Sequence, residues 1–178
     1  MKILLVVLAA VAILVATAPA SSRLMAAPAF SSPGREALVV RLPPAAPAGQ
    51  TVLYGHIKSL TRKGRRFELR FDPSWWLSGV TAQRAAVADG ALQPGEPVPN
   101  DYYIVEEGHR LLTYLVPASA RVTVVTRGVP STPISVPELA QIVKGKNPKH
   151  RPLLEPKAGY WIRVAIDTVR SLDQQYQP

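Results

Sequence analysis

The segment Arg66–Phe71, RFELRF, alternates charged and apolar residues at every position. Because successive side chains of a β-strand point to opposite faces, this alternation predicts a strand with one buried and one solvated face. The preceding segment, Thr51–Leu60, is rich in Val, Leu, Tyr and Ile and is also typical of a strand. Gly64 lies between the two segments and marks a turn, so together they predict a hairpin.

Other segments predict further strands and a few short helices. Strands are expected at Tyr102–Val105, Leu111–Val116, Val122–Thr126, Tyr160–Ile166 and Thr168–Leu172, the last two as a closing hairpin. Asp72-Pro73 is a helix-start signal and predicts a helical turn carrying Trp75–Leu77. Helices are also expected over residues 82–88, opened by Thr81, and after Ser135, where S-x-x-E forms a capping box before an apolar stripe.

These elements predict a mainly β (α+β) fold. Strands in hairpin order favour an antiparallel sheet, either rolled or closed into a small barrel so that few edges remain. An OB-like barrel with two or three short helices is the most economical candidate.

The first thirty residues have the layout of an export signal. Lys2 precedes the apolar run Ile3–Val15, and small residues with an A-x-A pattern follow at 18–20. We therefore expect a signal peptide at 1–20, a flexible Ser/Ala/Pro-rich spacer at 21–49 and a β-rich domain at 50–178. Cleavage as late as residue 29 is one alternative, and an uncleaved membrane anchor through residues 3–18 is another. The protein is expected to act outside the cytoplasm, secreted or at the cell envelope.

Composition and motifs exclude several kinds of chemistry. The chain has no cysteine, so disulfides, thiolate metal sites and cysteine nucleophiles are excluded. The three histidines are isolated, H-E-x-x-H and the P-loop are absent, and no Ser lies in a G-x-S-x-G context. We predict no catalytic residues, no metal site and no cofactor.

Charge suggests the partner. The chain has 21 Lys and Arg against 12 Asp and Glu, a formal net charge of +9. The basic residues predicted to meet an anionic partner form two clusters: Lys58, Arg62, Lys63, Arg65 and Arg66, and then Lys144, Lys146, Lys149 and Arg151. An anionic polymer or lipid surface of the envelope, or another envelope protein, is the expected partner. Nucleic acid is not expected because export separates the protein from it. Solvated turns are the alternative explanation of both clusters.

A second group of residues predicts a cleft. Its members are Asp72, Trp75, Trp76, Asp101, Tyr102, Tyr103 and His109. One of the adjacent tryptophans is expected in the core and the other in a groove with Tyr102 or Tyr103. The cleft supports two alternative functions: an envelope enzyme with an Asp/His/aromatic site, or a structural or chaperone-like component that docks another protein.

Residues 72–105 also contain two distinctive sequence motifs, DPSWWLSGVTAQRAAVADG and GEPVPNDYYIV. With the closing SLDQQYQP, these motifs resemble a group of small exported bacterial proteins of unknown function. The resemblance covers residues 50–178. It implies export and brings no activity or site residue with it.

Overall fold

The computed structural model describes residues 45–106, 108 and 110–177. The predicted signal peptide, the spacer as far as residue 44 and His109 lie outside the described residues. Of the predicted spacer, residues 45–49 are described and include a turn in which Gln50 N–H donates to Pro47 O. Within the described ranges, no helix has the length and apolar character needed to span a bilayer.

The described chain is built mainly from β-strands. The strands are β1 (Thr51–Lys63), β2 (Arg66–Ser78), β3 (Tyr102–Val105), β4 (Leu112–Pro117), β5 (Arg121–Thr126), β6 (Val129–Ile134), β7 (Tyr160–Ala165) and β8 (Thr168–Gln174). The helices are α1 (Gly79–Ala88) and α2 (Val136–Val143), and a 3₁₀ turn covers Pro99–Asp101.

The predicted first hairpin is confirmed. β1 and β2 pair in antiparallel register from Lys63↔Arg66 at the turn through Leu60↔Leu69. The apolar positions of the alternating segment, including Phe67 and Phe71, are buried, whereas the two arginines in it are exposed.

The predicted helical turn at Trp75–Leu77 is wrong, because these residues continue β2. Pro73 lacks an N–H and normally interrupts a central strand. Here it lies opposite Gly55 of β1. A Cβ on Gly55 would overlap the carbonyl oxygen of Asp72, so the glycine allows the two backbones to approach closely and the strand to continue.

Five strands close into a ring. β1 pairs with β2, β2 with β4, β4 with β8, β8 with β7, and β7 again with β1. β3 extends the pairing along the second half of β2, and the β5–β6 hairpin adds to β8. Most strand pairs are antiparallel, as expected, but β4 and β5 both run parallel to β8, which the sequence did not predict. The long connection through β6 and α2 supplies the crossover that parallel pairing needs.

The strands of the ring are staggered. Paired residues lead from Thr61 of β1 to Glu68, Leu115, Thr168 and Ala165. β7 then leads back to β1 at the opposite end of that strand, near residue 51. A closed ring of tilted strands requires such a shift. The β7–β8 turn consequently lies beside β4, where Leu115 N–H donates to Asp167 O at 2.9 Å.

α2 packs against the hydrophobic core. Ser135 is its N-cap, as predicted, and its side-chain oxygen accepts a 3.3 Å hydrogen bond from Glu138 N–H. Val136, Leu139 and Ala140 on one face of α2 join the core cluster that includes Leu60 and Phe71. Burial of these side chains fixes α2, and therefore the basic loop that follows it, against the ring.

Candidate functional site: a basic face and a basic pocket

The outer side of the ring near the first turn carries a surface that we name the basic face. It consists of the exposed side chains of Lys63, Arg66, Arg70 and Arg170. Arg66 and Arg70 alternate with buried β2 residues, and Arg170 lies between buried Val169 and Ser171 of β8. The stagger of the ring brings β8 to this side. Within the part of the chain that the structure describes, no ion pair neutralises these four side chains, and half-buried Glu68 is the acid nearest to them in β2.

The tip of the first hairpin adds two further cations. Arg62 Nε donates to the Gly64 carbonyl 3.1 Å away, which holds that side chain across the turn. Gly64 has φ +60°, a left-handed conformation that favours glycine. Arg65 follows it and is exposed. The turn therefore presents positive charge to solvent, and we count Arg62 and Arg65 as part of the basic face.

Lys58 belongs to another local arrangement. Its Nζ lies 2.8 Å from Asp72 Oδ2 on the neighbouring strand, and this contact raises the pKa of Lys58. The carboxylate of Asp72 largely cancels the charge, so Lys58 contributes little to the surplus on the hairpin. Asp72, predicted to line a cleft, is held by the same pair.

The second predicted basic cluster is organised by one acid. Glu138 on α2 keeps a side chain only 4% exposed, and Lys149 Nζ lies 2.9 Å from its Oε2. Arg151 pairs with Glu138 through Nε, and its Nη2 donates to Oε2 at 3.4 Å. These hydrogen bonds, that from Arg151 first, lower the pKa of Glu138, although burial acts in the opposite direction. The expected reciprocal bond of the capping box is therefore replaced by these two ion pairs.

A pocket of about 520 Å³ opens beside this cluster. It lies between the C-terminal end of α2, the loop that follows and the β5–β6 turn. Its lining residues are Arg127, Ile142, Gly145, Lys146, Asn147, Arg151, Pro152, Leu153 and Pro156. Two of the sequence-predicted binding residues, Lys146 and Arg151, thus line a concave site. Lys144 is exposed outside this lining.

Aromatic side chains form a separate cluster on β1, β2, β3 and β7. Trp76 stacks on Tyr102 with ring centroids 4.1 Å apart. Tyr54 contacts Trp76 edge-on at 4.9 Å, and Trp161 lies 5.0 Å from Tyr54. A Cβ on Gly159 would overlap the Tyr54 hydroxyl, so the tyrosine rests against bare backbone.

Glutamines near the C-terminus hold this cluster in place. Trp161 Nε1 donates to Gln175 Oε1 at 3.1 Å, and Gln177 Nε2 donates to the Tyr54 hydroxyl. Burial, assisted by nearby Tyr102, raises the pKa of Tyr54, so its hydroxyl remains protonated at neutral pH. The cluster is consequently a packed, hydrogen-bonded unit.

Among the described members of the predicted cleft, Trp76 and Tyr102 are in direct ring contact. Trp75 is 57% exposed, and Trp76 is half-buried, so neither lies in the core as expected for one of them. Tyr103 donates to Asp89 at 3.2 Å, and Asp101 is exposed in the 3₁₀ turn. Within the described ranges, no three His, Asp or Glu side chains are placed to hold a metal ion.

Several residues of these sites were not singled out from the sequence. Arg127 and Arg170 are single cations in apolar strands or turns, and Tyr54 and Trp161 are strand aromatics of ordinary appearance. The alternation of Thr168–Leu172 could have placed Arg170 outward. The other three depend on contacts between distant segments.

No protein-family model, curated protein or solved structure matches this chain. The site must therefore be interpreted from its own geometry and charge.

Proposed function

We propose that this protein is a binding protein of the cell envelope that holds an anionic polymer on its basic face. The observation that carries the proposal is the concentration, at one end of the ring, of cations that form no ion pair with any described carboxylate. Lys63, Arg65 and Arg66 meet at a single turn, and Arg70 lies on the same side of β2, beyond half-buried Glu68. A repeated anion is the partner that such a row attracts best, because each charge adds to the same field.

The strand order supports an OB-like fold as part of this proposal. The pairing β1-β2-β4-β8-β7, with a parallel β4–β8 step, has the order of a five-stranded Greek-key barrel whose third strand is β4. OB folds bind extended polymers over their second and third strands and the two turns that flank them. The basic face begins at the β1–β2 turn and covers β2, which would be the second strand of such a fold, and Arg170 of β8 adds to it.

Residues 1–20 supply the expected location. Their charged start, apolar run and small-residue exit favour export, which places phosphate-bearing or acidic glycan polymers of the envelope within reach. Fractionation of cells producing the full chain tests this part separately. Recovery of a shortened chain outside the cytoplasm is expected, and full-length material confined to the cytosol would contradict it.

Charge reversal tests the binding surface. Lys63→Glu, Arg65→Glu and Arg66→Glu together should abolish retention of the exported chain on a polyphosphodiester matrix at low salt. The matched control reverses three exposed cations elsewhere, Arg84, Arg110 and Lys157, and makes the same change in net charge. Retention of the control with loss of the hairpin variant supports the proposal. Equal loss in both would show that only net charge matters, and it would overturn the assigned surface.

Anionic vesicles distinguish the partner class. If the basic face binds a flexible polymer, a soluble polyphosphodiester should displace the protein from the matrix more effectively than vesicles of equal phosphate content. Preferential binding to the vesicles would replace the polymer by a lipid surface.

A further inference from the structure

The pocket at the end of α2 combines positive charge with an apolar wall. Arg127, Lys146 and Arg151 supply the charge, and Ile142, Leu153 and two prolines supply most of the rest of the lining. No carboxylate belongs to the lining. Such a surface attracts an anionic group and at the same time covers the uncharged body that carries it.

The charge of this pocket exceeds what its acid neutralises. Glu138 is the carboxylate that binds Arg151, and it also binds Lys149. Arg127 and Lys146 have no ion pair among the described residues. Glu138 thus neutralises part of the charge of Lys149 and Arg151, and Arg127 and Lys146 add positive charge to the lining.

The walls of the pocket are fixed by hydrogen bonds. Asn147 closes the loop on Arg151 in both directions, donating to its carbonyl at 2.7 Å and accepting from its N–H at 2.9 Å. Arg127 N–H donates to Pro152 O at 2.9 Å, and Leu154 N–H donates to Val125 O at 3.1 Å. A site with a pre-formed frame loses less entropy on binding than a mobile loop would.

The volume of the pocket limits which ligands can fill it. A volume of about 520 Å³ falls in the range of pockets that enclose small organic molecules, and it is much larger than a bare phosphate requires. The guanidinium group of Arg127 favours phosphate oxygens, because its planar donors can bind two of them at once. The proline and leucine surface suits the less polar face of a sugar ring.

We propose that this pocket binds a sugar phosphate, with the phosphate on Arg127 and Lys146 and the sugar against Pro152 and Leu153. The inference deepens the proposed function and rests on it, because a phosphorylated sugar is one repeat unit that a phosphate-bearing polymer of the envelope can carry. The pocket then recognises one unit or end of the polymer, and the basic face holds the remainder through charge.

Titration calorimetry with glucose 6-phosphate tests the assignment, with glucose and inorganic phosphate as separate half-ligands. Saturable binding of the sugar phosphate, at least about ten-fold tighter than that of either half, is expected. Arg127→Gln and Lys146→Gln should each weaken it about ten-fold. Lys144→Gln is the matched control, because this exposed lysine lies two residues from Lys146 and outside the lining. Absence of saturable binding, or an equal effect of the control, would overturn the proposal.

The hairpin variant separates this result from the proposed function. Lys63→Glu, Arg65→Glu and Arg66→Glu together should leave the affinity for glucose 6-phosphate unchanged. Sugar phosphate binding without polymer retention would retain the pocket and discard the basic face. Polymer retention without sugar phosphate binding would discard the pocket alone.

Discussion

Glu138 of α2 and Arg151 of the following loop form an ion pair in which the carboxylate is buried. The pair joins the helix that packs on the ring to the segment that lines the basic pocket. Lys149 also pairs with Glu138, so two of the predicted binding residues, Lys149 and Arg151, bind a carboxylate within the protein itself.

Replacing Glu138 by Gln should lower the free energy of unfolding by about 2 kcal/mol, because the charged hydrogen bonds to a buried carboxylate are lost. Chemical denaturation followed by circular dichroism measures the change. Glu155→Gln, at an exposed position in the same loop, is the control and should shift stability by less than about 0.5 kcal/mol. A loss no larger than that of the control would show that the pair contributes nothing to stability.

The same carboxylate predicts a loss of stability in acid. The ion pairs lower the pKa of Glu138 in the folded protein, so their stabilisation is fully present above the ordinary glutamate pKa of about 4.3. It is lost as the pH falls from there through the lowered folded value. Melting temperatures measured from pH 6 to pH 2 should fall less steeply in Glu138→Gln than in the unaltered protein. Parallel curves would contradict the assignment.

Gly55→Ala should destabilise the β1–β2 pair strongly. The new methyl group would overlap the Asp72 carbonyl, which is rigid strand backbone, so we expect a loss of about 3 kcal/mol. Thr61→Ala, at an exposed position in the same strand, should cost less than about 1 kcal/mol. Equal midpoints of thermal unfolding in the two variants would contradict this prediction, because they would show that the backbone at Asp72 and Pro73 can move to make room for the methyl group.

The adjacent tryptophans offer a matched test of the aromatic cluster. Trp76→Ala removes a ring that stacks on Tyr102 and contacts Tyr54, and it should lower stability by about 2 kcal/mol. Trp75→Ala removes a ring of the same size that is more than half exposed, so its cost should be clearly smaller. Urea unfolding of both variants measures the difference. An equal or larger loss in Trp75→Ala would contradict the packing described for Trp76.

Local sequence patterns predicted the elements whose cause is local. The alternation at Arg66–Phe71 and the S-x-x-E at Ser135 depend on neighbouring residues, and both elements form where expected. The closing hairpin is also confirmed, as β7 and β8. Period and capping fix these elements whatever surrounds them.

The elements that the sequence did not predict correctly depend on residues elsewhere in the chain. The helix-start signal at Asp72-Pro73 is overridden because Gly55, on another strand, accommodates the proline. β6 was not predicted, since Pro133 is unfavourable in a central strand, but β6 pairs with β5 alone and lies at an edge. Parallel pairing with β8 depends on the closure of the ring, which no local pattern shows.

The features of the candidate site also fall into those that the sequence predicts and those that depend on contacts between distant segments. Charge composition predicted both basic clusters, because runs of Lys and Arg are visible in the sequence. It did not predict that Glu138 binds Lys149 and Arg151, or that Arg127 completes a pocket, because those contacts join segments separated along the chain.

The salt dependence of polymer binding is the most direct test of the central claim. The affinity of the exported chain for a soluble polyphosphodiester is measured from low to high salt, alongside Lys63→Gln, Arg65→Gln and Arg66→Gln combined. The account predicts a linear fall of log affinity with log salt, with a slope reduced by roughly one for each cation removed. An unchanged slope in the triple variant would contradict the assignment of the basic face.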